Sequence, residues 1–400
     1  MSPLLEMKKT LKSLTLEEKR TAALLSLCYF FILVGYSIVR SMGSSLFLKT
    51  FGASLTPLAN LATVLVLTVT VFSVNFFQGK HSVQKIFLGF IGFTLALWIL
   101  CFELMERGVP ELSFPFFIWK EIYIVILIHM LWAYAIHYYT VEKAKVVFGF
   151  VSAVGSMGGL LGGFFLSSFI ASVGFRNFFY ISVTVLAVAS LFFRKTPESL
   201  EKEKKSAYSP IGSLGPVATQ VAFMAGLVIL TQFYLAVVEL GVNTEIAARF
   251  PNSKEESAAY FGFLFGWVHT LTMIFKITSP ILFSFLSPLT VQIMIPLVLL
   301  FSQFVAGTSA ITFVIAKATD YSIFNISKDL LFGRFASSQK YGAKYLVDML
   351  LYRTAKGTIS TFLIFVQAAP FLATMNGGFL VFWLLLAVLQ RPAWNRIKTS

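Results

Sequence analysis

Charged residues are scarce in this 400-residue chain: Asp, Glu, Lys and Arg together make up 12% of it, about half of the roughly 25% found in soluble domains. Hydrophobic residues make up 57%, and Phe alone occurs 44 times. A single soluble core has no room for so much apolar surface. The shortage of charge therefore excludes a soluble enzyme and a disordered protein, and it predicts a polytopic membrane protein.

Cysteine and histidine are also scarce, with two and four copies. Cys28 and Cys101 lie inside apolar runs, which excludes a secreted disulfide scaffold. The scattered histidines predict neither a metal site nor a cofactor. The Walker A, GxSxG, HExxH and CxxC patterns are missing as well. We therefore predict no enzymatic activity, because an intramembrane enzyme would have no nucleophile and base to use.

Apolar runs of about 20 residues, the length needed to cross a bilayer, occur about twelve times. We predict spans at 21–40, 56–77, 85–104, 114–140, 146–172, 176–193, 217–240, 258–282, 288–306, 308–330, 343–368 and 373–390. The one long charged linker, 194–216, falls at the midpoint. It predicts an N-terminal half at 21–193 and a C-terminal half at 217–390, with an N-terminal segment at 1–20 and a tail at 391–400. The predicted fold class is all-α, with two pseudo-symmetric six-helix halves.

The positive charges predict the orientation. One side of the predicted membrane receives the basic N-terminus, the linker, the tail and the loop residues Lys80, Lys85, Lys143, Lys145, Arg334, Lys340 and Lys344. The other side receives few: Lys49, Arg107, Arg176, Arg249 and Lys254. The richer side is predicted to be cytoplasmic, which places both termini inside. The formal net charge of +14 is thereby explained by topology, and no nucleic-acid partner is predicted.

An internal repeat supports the division into halves. Sliding the chain by 199 residues places Arg40 on Glu239, Phe51 on Phe250, Glu121 on Asp320, Ala144-Lys145 on Ala343-Lys344 and Gly158 on Gly357. Most of these are rare polar residues or glycines inside the spans, which favours duplication. A parallel pair of six-helix repeats is typical of the major facilitator architecture, which places its binding site near the membrane midplane between the repeats.

Ionisable residues inside the spans are the candidate functional residues, because each costs about 3 kcal/mol or more in a bilayer and usually faces a cavity or a partner. They are Arg40, Lys120, Glu121, Glu239, His269, Lys276, Lys317, Asp320, Lys328, Asp329, Asp348, Arg353 and Lys356. They concentrate on spans 1, 4, 7, 10 and 11, and the major facilitator architecture implies that spans 1, 4, 7 and 10 line the cavity. A simpler interpretation of Arg40, Lys120 and Lys328 is a charge at a span end that reaches water.

Spacing within single helices adds two expectations. Arg353 and Lys356 are three residues apart and share a helical face, so their repulsion predicts an anion between them. Lys317 and Asp320 have the same spacing and can pair with each other. In the run 155–163, Gly158 with Gly162 and Gly159 with Gly163 form small-xxx-small pairs that let helices approach closely. Two interpretations of this run remain, namely close helix packing and a contact that moves during gating.

Several stretches carry a family resemblance. They are Val238–Leu240 (VEL), Ala248–Asn252 (ARFPN), Tyr260–Gly262 (YFG), Lys317–Asp329 (KATDYSIFNISKD), Leu351–Gly357 (LYRTAKG) and, more weakly, Glu142–Lys145 followed by the glycine run. Together they resemble the ATP/ADP translocases of intracellular bacteria and plastids, over most of the chain from about span 1 to span 11. The resemblance implies nucleotide exchange, or nucleotide import with a cation.

The resemblance also implies roles for particular residues. Arg40, Glu121, Glu239 and Lys356 match charged positions of the family on spans 1, 4, 7 and 11. One match fails, because the family usually has a lysine shortly after the span 1 arginine, where this chain reads Ser41-Met42-Gly43-Ser44. The missing cation raises the alternative of a relative with a changed substrate, such as another organic anion or an amphipathic lipid.

We therefore predict a multi-pass transporter of the bacterial inner membrane, in contact with membrane lipids, that moves a nucleotide or a related phosphorylated anion by alternating access. Arg40, Arg353 and Lys356 are predicted to bind the anion. Glu121, Glu239, Lys317 and Asp320 are predicted to act in gating or in coupling to a cation. A membrane receptor or scaffold without transport activity is the remaining alternative, and it would not need these charges.

Overall fold

A computed structural model describes residues 13–78, 80–197, 212–306 and 309–395. Most of the predicted N-terminal segment and linker and half of the predicted tail fall outside these ranges. All regular elements within them are helical. Six helices precede the linker: α1 Leu16–Phe51, α2 Thr56–Gln78, α3 Val83–Glu106, α4 Ser113–Tyr138, α5 Val141–Val173 and α6 Phe175–Arg194.

Six long helical elements and one short helix follow the linker. They are α7 Ala218–Arg249, α8 Lys254–Phe285, α9 Pro288–Ala306, α10 at 309–332, α11 at 337–365, α12 Ala369–Leu389 and the short α13 Arg391–Asn395. Two of them contain a π-helical turn, α10 at Asp320–Phe324 and α11 at Tyr345–Leu351. Each of the twelve predicted spans thus corresponds to one helical element, which confirms the all-α polytopic fold class.

Nine stretches among the described residues are long and apolar enough to cross a membrane. The other three long elements depart from that pattern for visible reasons. Helix α9 has a shorter apolar stretch, Pro288–Gln303, and α10 and α11 are each interrupted by their π-helical turn. The interruptions lie among the charged residues of these two helices.

Local sequence explains where several helices begin and turn. The Thr15 and Glu18 side chains cap the start of α1 reciprocally: the Thr15 amide donates to the Glu18 carboxylate at 2.8 Å, and the Glu18 amide donates to the Thr15 hydroxyl at 3.2 Å. This is the capping-box arrangement. Gly174, with φ of +88°, allows α6 to begin directly after α5, because that backbone conformation is costly for any residue with a Cβ.

The helices are longer than the predicted spans at two important places. Helix α1 has 36 residues, about 54 Å at 1.5 Å per residue, and continues eleven residues past the predicted end at Arg40. Helix α7 likewise continues past 240 to Arg249. Arg40 and Glu239 are therefore interior residues of long helices and not residues of span ends.

The chain forms two compact units. The first comprises the described residues within 1–50, 65–204 and 250–270, and the second those within 51–64, 205–249 and 271–400. These units differ from the predicted halves in two places, since the start of α2 groups with the second unit and the start of α8 with the first. The predicted domain boundaries remain a prediction.

Aromatic packing dominates the core of the first unit. Rings of α3 and α6 stack, with Phe102 and Phe179 at 3.9 Å between centroids and Phe87 and Phe193 at 3.8 Å. In the second unit, an aliphatic cluster joins α7 to α11 through Val237, Leu240, Ile359 and Leu363. Large apolar side chains such as Phe72 are exposed, as expected of helices that contact lipid.

Candidate functional site

The first unit buries a cluster of three charged side chains, which we call the first charge cluster: Arg40 of α1 with Lys120 and Glu121 of α4. Lys120 Nζ lies 2.8 Å from Glu121 Oε1, and Arg40 Nε lies 3.5 Å from the same oxygen. The side chains are 1% (Lys120), 5% (Arg40) and 16% (Glu121) exposed. Two cations therefore share one carboxylate in the interior of the helical layer, and neither cation reaches water at a span end.

Aromatic rings hold the Arg40 guanidinium in place. Its central carbon lies 4.0 Å from the ring centroid of Phe265, on the start of α8, and 5.4 Å from that of Tyr36, one turn earlier on α1. A guanidinium over an aromatic face gains cation–π attraction while its N–H groups remain directed to the side. The two rings therefore restrict the orientation of the Arg40 side chain.

Lys120 occupies space beside the stretch that lacks the family's lysine. A Cβ added at Gly43 would lie 2.7 Å from Lys120 Cδ and 3.1 Å from a ring carbon of Phe116, so the lysine stem runs directly over that glycine. The ammonium group lies 3.8 Å from the ring centroid of Phe117. A cation from α4 thus stands next to Ser41–Ser44 of α1, where the sequence has no cation of its own.

The second unit contains a second charge cluster, formed by Glu239 of α7, Lys317 of α10 and Lys356 of α11. Lys317 Nζ lies 3.4 Å from Glu239 Oε2, and Lys356 Nζ lies 4.0 Å from the same oxygen. Lys317 is 9% exposed, Glu239 13% and Lys356 22%. Here too, two cations share one carboxylate. Lys356 is the more exposed and the more distant of the two.

Both clusters join the first and fourth helices of a six-helix set, but with opposite polarity. In the first unit, the cation Arg40 stands on the first helix and pairs with the carboxylate of Glu121 on the fourth. In the second unit, the carboxylate of Glu239 stands on the corresponding first helix and pairs with Lys317 on the corresponding fourth. Each unit thus has an ion pair between its first and fourth helices, although the predicted repeat aligns Glu121 with Asp320 and not with Lys317.

Asp320 lies three residues beyond Lys317, at the start of the π-helical turn of α10. Its Oδ2 accepts a hydrogen bond from the Tyr352 hydroxyl at 3.3 Å. Its Oδ1 is buried, with no hydrogen-bond partner among the described residues, although the residue is only 2% exposed. The sequence offered Asp320 as a partner of Lys317. The structure places the Lys317 ammonium beside Glu239 and keeps it within electrostatic reach of Asp320.

Arg353 follows Tyr352 on α11 and is half-buried. The described part of the chain holds no ion pair to it. It shares a helical face with Lys356, one turn later, so α11 presents two cations along one side. The five donors of a half-buried guanidinium suit an anionic oxygen group.

Two further ion pairs join α10 to α11. Lys328 Nζ, in a side chain only 5% exposed, lies 2.5 Å from Asp348 Oδ1. Lys344 Nζ lies 2.7 Å from Asp329 Oδ1, and both of those side chains are more than a third exposed. Asp348 is thus the counter-charge of Lys328 and not of Arg353 or Lys356. The water-reaching interpretation of Lys328 is wrong, because its ammonium is buried and paired.

Sequence reasoning did not find the two π-helical turns. Turns of this kind are rare and are frequent at functional sites, and here they contain or adjoin Asp320, Asp348 and Arg353. Tyr352, which connects the two helices through its hydrogen bond to Asp320, was also missed. Its position next to Arg353 is the only signal that the sequence carries for it.

The glycine run of α5 packs closely on two sides. A Cβ at Gly162 would lie 2.5 Å from the carbonyl oxygen of Val34 on α1, and one at Gly163 would lie 2.7 Å from the carbonyl oxygen of Gly262 on α8. Ser37 reinforces the contact with α1 by donating to the Gly159 carbonyl at 2.8 Å. The expected packing role of the run is confirmed by these distances, and its gating role stays a prediction.

Comparison with solved structures identifies the fold. The chain is similar to a point mutant of the nucleoside transporter NupG, with a TM-score of 0.70 and 14% identity over 93% of this chain and 100% of that one. It is similar to a D-xylose–proton symporter (TM-score 0.62, 14% identity, 94% of this chain, 97% of that one). It is also similar to a bacterial homologue of the iron transporter ferroportin (TM-score 0.67, 11% identity, 96% of this chain, 100% of that one).

These similarities show the major facilitator type of fold. No protein-family model matches the chain, and no curated protein matches it. The resemblance to the ATP/ADP translocases therefore stays a prediction.

Proposed function

We propose that the chain is a membrane transporter that moves a nucleotide or a related phosphorylated anion by alternating access. The observation that carries this proposal is the composition of the two charge clusters. In each, two cationic side chains converge on a single carboxylate within membrane-spanning helices. Arg353 adds a further cation on the same side of α11 as Lys356. Phosphate oxygens are the ligands that suit Arg and Lys in this setting.

The looseness of the contacts suggests which groups meet the substrate. Lys120 holds Glu121 at 2.8 Å, whereas Lys356 stands 4.0 Å from Glu239 and is the most exposed of the six cluster residues. A cation at that distance gains little from its carboxylate and can turn to an entering phosphate. Lys356 and Arg353 are thus our candidates for direct contact in the second unit, and Arg40 is the candidate in the first.

In the proposed mechanism, the carboxylates of Glu121 and Glu239 neutralise the cations when no substrate is bound. In the empty protein, Glu121 and Glu239 stabilise cations that would otherwise be buried without a counter-charge, at a cost of several kcal/mol each. A phosphate group bound at one cluster replaces the carboxylate of that cluster and releases the helices that its ion pairs join. Such replacement links substrate binding to helix movement, as an exchanger requires.

Asp320 suits coupling to a proton. Its Oδ1 is buried and accepts no hydrogen bond from the described residues, which is a costly state for a charged carboxylate. A proton on that oxygen removes the cost. Import coupled to a cation would therefore act through Asp320 and its neighbour Tyr352.

The bacterial inner membrane with both termini in the cytoplasm is the setting that we propose, on the distribution of Lys and Arg. A transporter of another organic anion is the second candidate, because Ser41–Ser44 lacks the lysine that the nucleotide transporters usually have. Lys120 supports the nucleotide candidate, since it supplies a cation beside Gly43.

Binding to the purified protein in detergent tests the proposal. Adenosine, AMP, ADP and ATP form a series with one base and increasing negative charge, and citrate is an anion without a base. We expect thermal stabilisation to be absent with adenosine and to increase with the number of phosphates. Stabilisation by citrate alone would favour the second candidate, and equal stabilisation by adenosine and ATP would overturn the phosphate site.

Two variants of α11 locate the site. Lys356→Gln should abolish the stabilisation by nucleotide, and Lys356→Arg should retain it. Lys344→Gln is the matched control, because it removes the same charge from an exposed position near the start of the same helix. If Lys356→Gln is stabilised as strongly as the control, Lys356 does not bind the anion.

A further inference from the structure

A groove lies in the first unit between α2, α3 and α4, apart from both charge clusters. Its volume is about 710 Å³, within the range of roughly 300–1,000 Å³ that is typical of ligand pockets. Apolar side chains form most of its wall, including Val69, Phe77, Phe90, Phe93 and Trp119. The groove takes no part in the transport mechanism proposed above.

The groove is open to the lipid-facing side of the helices. Val69 is 66% exposed, Phe93 55% and Phe77 48%. Apolar side chains with this exposure contact hydrocarbon in a membrane protein, so an occupant of the groove can enter sideways from the bilayer.

One end of the groove is basic. His81 and Lys85 line it at the turn that joins α2 to α3, and both are exposed. Lys80 stands next to them, with its ammonium 4.1 Å from the ring centroid of Phe76. This turn is on the side that the positive charges predict to be cytoplasmic. At the opposite end the wall is aromatic, where Phe93 lies 5.2 Å from Trp119 between centroids.

The length of the groove matches one leaflet. Lys85 and Phe93 are eight residues apart on α3, which corresponds to about 12 Å at 1.5 Å per residue. The hydrocarbon core of a bilayer is about 30 Å thick, so the groove reaches to near the middle and no further. A molecule with a charged head at Lys85 and an apolar tail toward Trp119 fits it from end to end.

We propose that this groove binds an anionic phospholipid of the leaflet next to the α2–α3 turn. Lys85 and His81 bind the phosphate of the headgroup, as expected for a basic pocket at the cytoplasmic face, and an acyl chain lies along Val69, Phe90 and Phe93 as far as Trp119. Trp119 directly precedes Lys120 and Glu121 on α4, so the bound lipid supports the helix that carries two residues of the first charge cluster.

Glycines of α3 provide a matched pair of variants. A Cβ at Gly89, in the wall of the groove, and one at Gly92, which is not in the wall, would each have no atom within 4 Å. Gly89→Phe therefore fills the groove, and Gly92→Phe adds the same side chain to the same helix outside it. For the headgroup, Lys85→Gln is compared with Lys49→Gln, which removes an exposed cation near the end of α1.

The experiment measures lipid binding to the purified full-length protein by native mass spectrometry. Phosphatidylglycerol and phosphatidylcholine with identical chains are the two probes, and no nucleotide is present. We expect phosphatidylglycerol to be retained by the wild type and both control variants, and to be lost from Gly89→Phe. Lys85→Gln should bind it about fivefold more weakly, from roughly 1 kcal/mol per basic residue near a membrane surface.

Tryptophan fluorescence gives a second measurement that does not depend on the stability of Gly89→Phe. Phosphatidylglycerol with brominated chains should quench the wild type, and Trp119→Phe should lose much of that quenching. Equal binding of the two lipids by the wild type would overturn the headgroup site. Quenching that is unchanged in Trp119→Phe, or phosphatidylglycerol binding that is unchanged in Gly89→Phe, would overturn the groove as its location.

Discussion

Replacing Gly162 by alanine tests the close approach of α5 to α1. The new Cβ would lie 2.5 Å from the carbonyl oxygen of Val34 and 2.9 Å from its Cα. Both are backbone atoms, so no rotation of a side chain can relieve the overlap. The two helices must separate, although the Ser37 hydroxyl holds them together at the Gly159 carbonyl.

Two opposing effects set the magnitude. Alanine favours the helix over glycine by about 0.5–1 kcal/mol. Overpacking a tight contact costs about 1–3 kcal/mol, and occasionally more. Contact with backbone places Gly162 at the upper end of that range, so we expect a net loss of about 1–2 kcal/mol in the free energy of unfolding.

Gly149→Ala is the control, on the same helix. A Cβ at Gly149 has no atom within 4 Å, so only the helix propensity changes and stability should rise slightly. Thermal unfolding in detergent, compared between the two variants and the wild type, should show shifts of opposite sign. A midpoint for Gly162→Ala equal to or above that of Gly149→Ala would refute the packing of α5 on α1.

Three further predictions concern the charged residues. Glu121→Gln leaves Arg40 and Lys120 together without their carboxylate, so it should lower stability by about 3–5 kcal/mol, as the loss of one partner of a buried pair does, and ATP should restore part of the loss in a thermal-shift titration. Tyr352→Phe removes the hydrogen bond to Asp320 and should cost about 0.5–1.5 kcal/mol by the same assay, with no change as the contrary result. Asp320→Asn should retain exchange between loaded vesicles while losing pH-driven uptake into empty ones; equal loss of both would contradict a role in coupling alone.

The helices could be predicted from the sequence because apolar runs of membrane length have few alternatives. The ends of the helices could not be predicted, because a drop in hydropathy marks the end of an apolar run and not the end of a helix. In α1 the helix continues through the polar stretch Ser41–Ser45. Arg40 looked like a residue of a span end for that reason. Because α1 extends to Phe51, Arg40 is an interior residue of the helix.

The charged residues inside the helices could also be identified from the sequence, but most of their ion-pair partners could not. The spacing within α10 predicted an interaction of Lys317 with Asp320. It could not predict the ion pair of Lys317 with Glu239, which depends on the packing of α10 against α7. The π-helical turns had no signal because a widened backbone turn needs no particular side chain. Contacts between helices depend on rotation about each helix axis, which a single sequence does not fix.

The predicted repeat bears on the ion pairs of the two charge clusters. An offset that places Arg40 on Glu239 aligns opposite charges, which looks like a poor match. In the structure both residues stand on the first helix of a six-helix set and pair with the fourth. The two pairs share that arrangement of helices but not their aligned positions, since the offset places Glu121 on Asp320.

Transport of labelled ADP by vesicles that contain the purified protein tests the central claim most directly. The account predicts uptake that depends on the protein, persists in Lys344→Gln and is lost in Lys356→Gln. Uptake only into vesicles loaded with nucleotide would identify an exchanger, and uptake into empty vesicles would identify cation-coupled import. Absence of uptake in both kinds of vesicle, or undiminished uptake by Lys356→Gln, would contradict a phosphate site built on the second charge cluster.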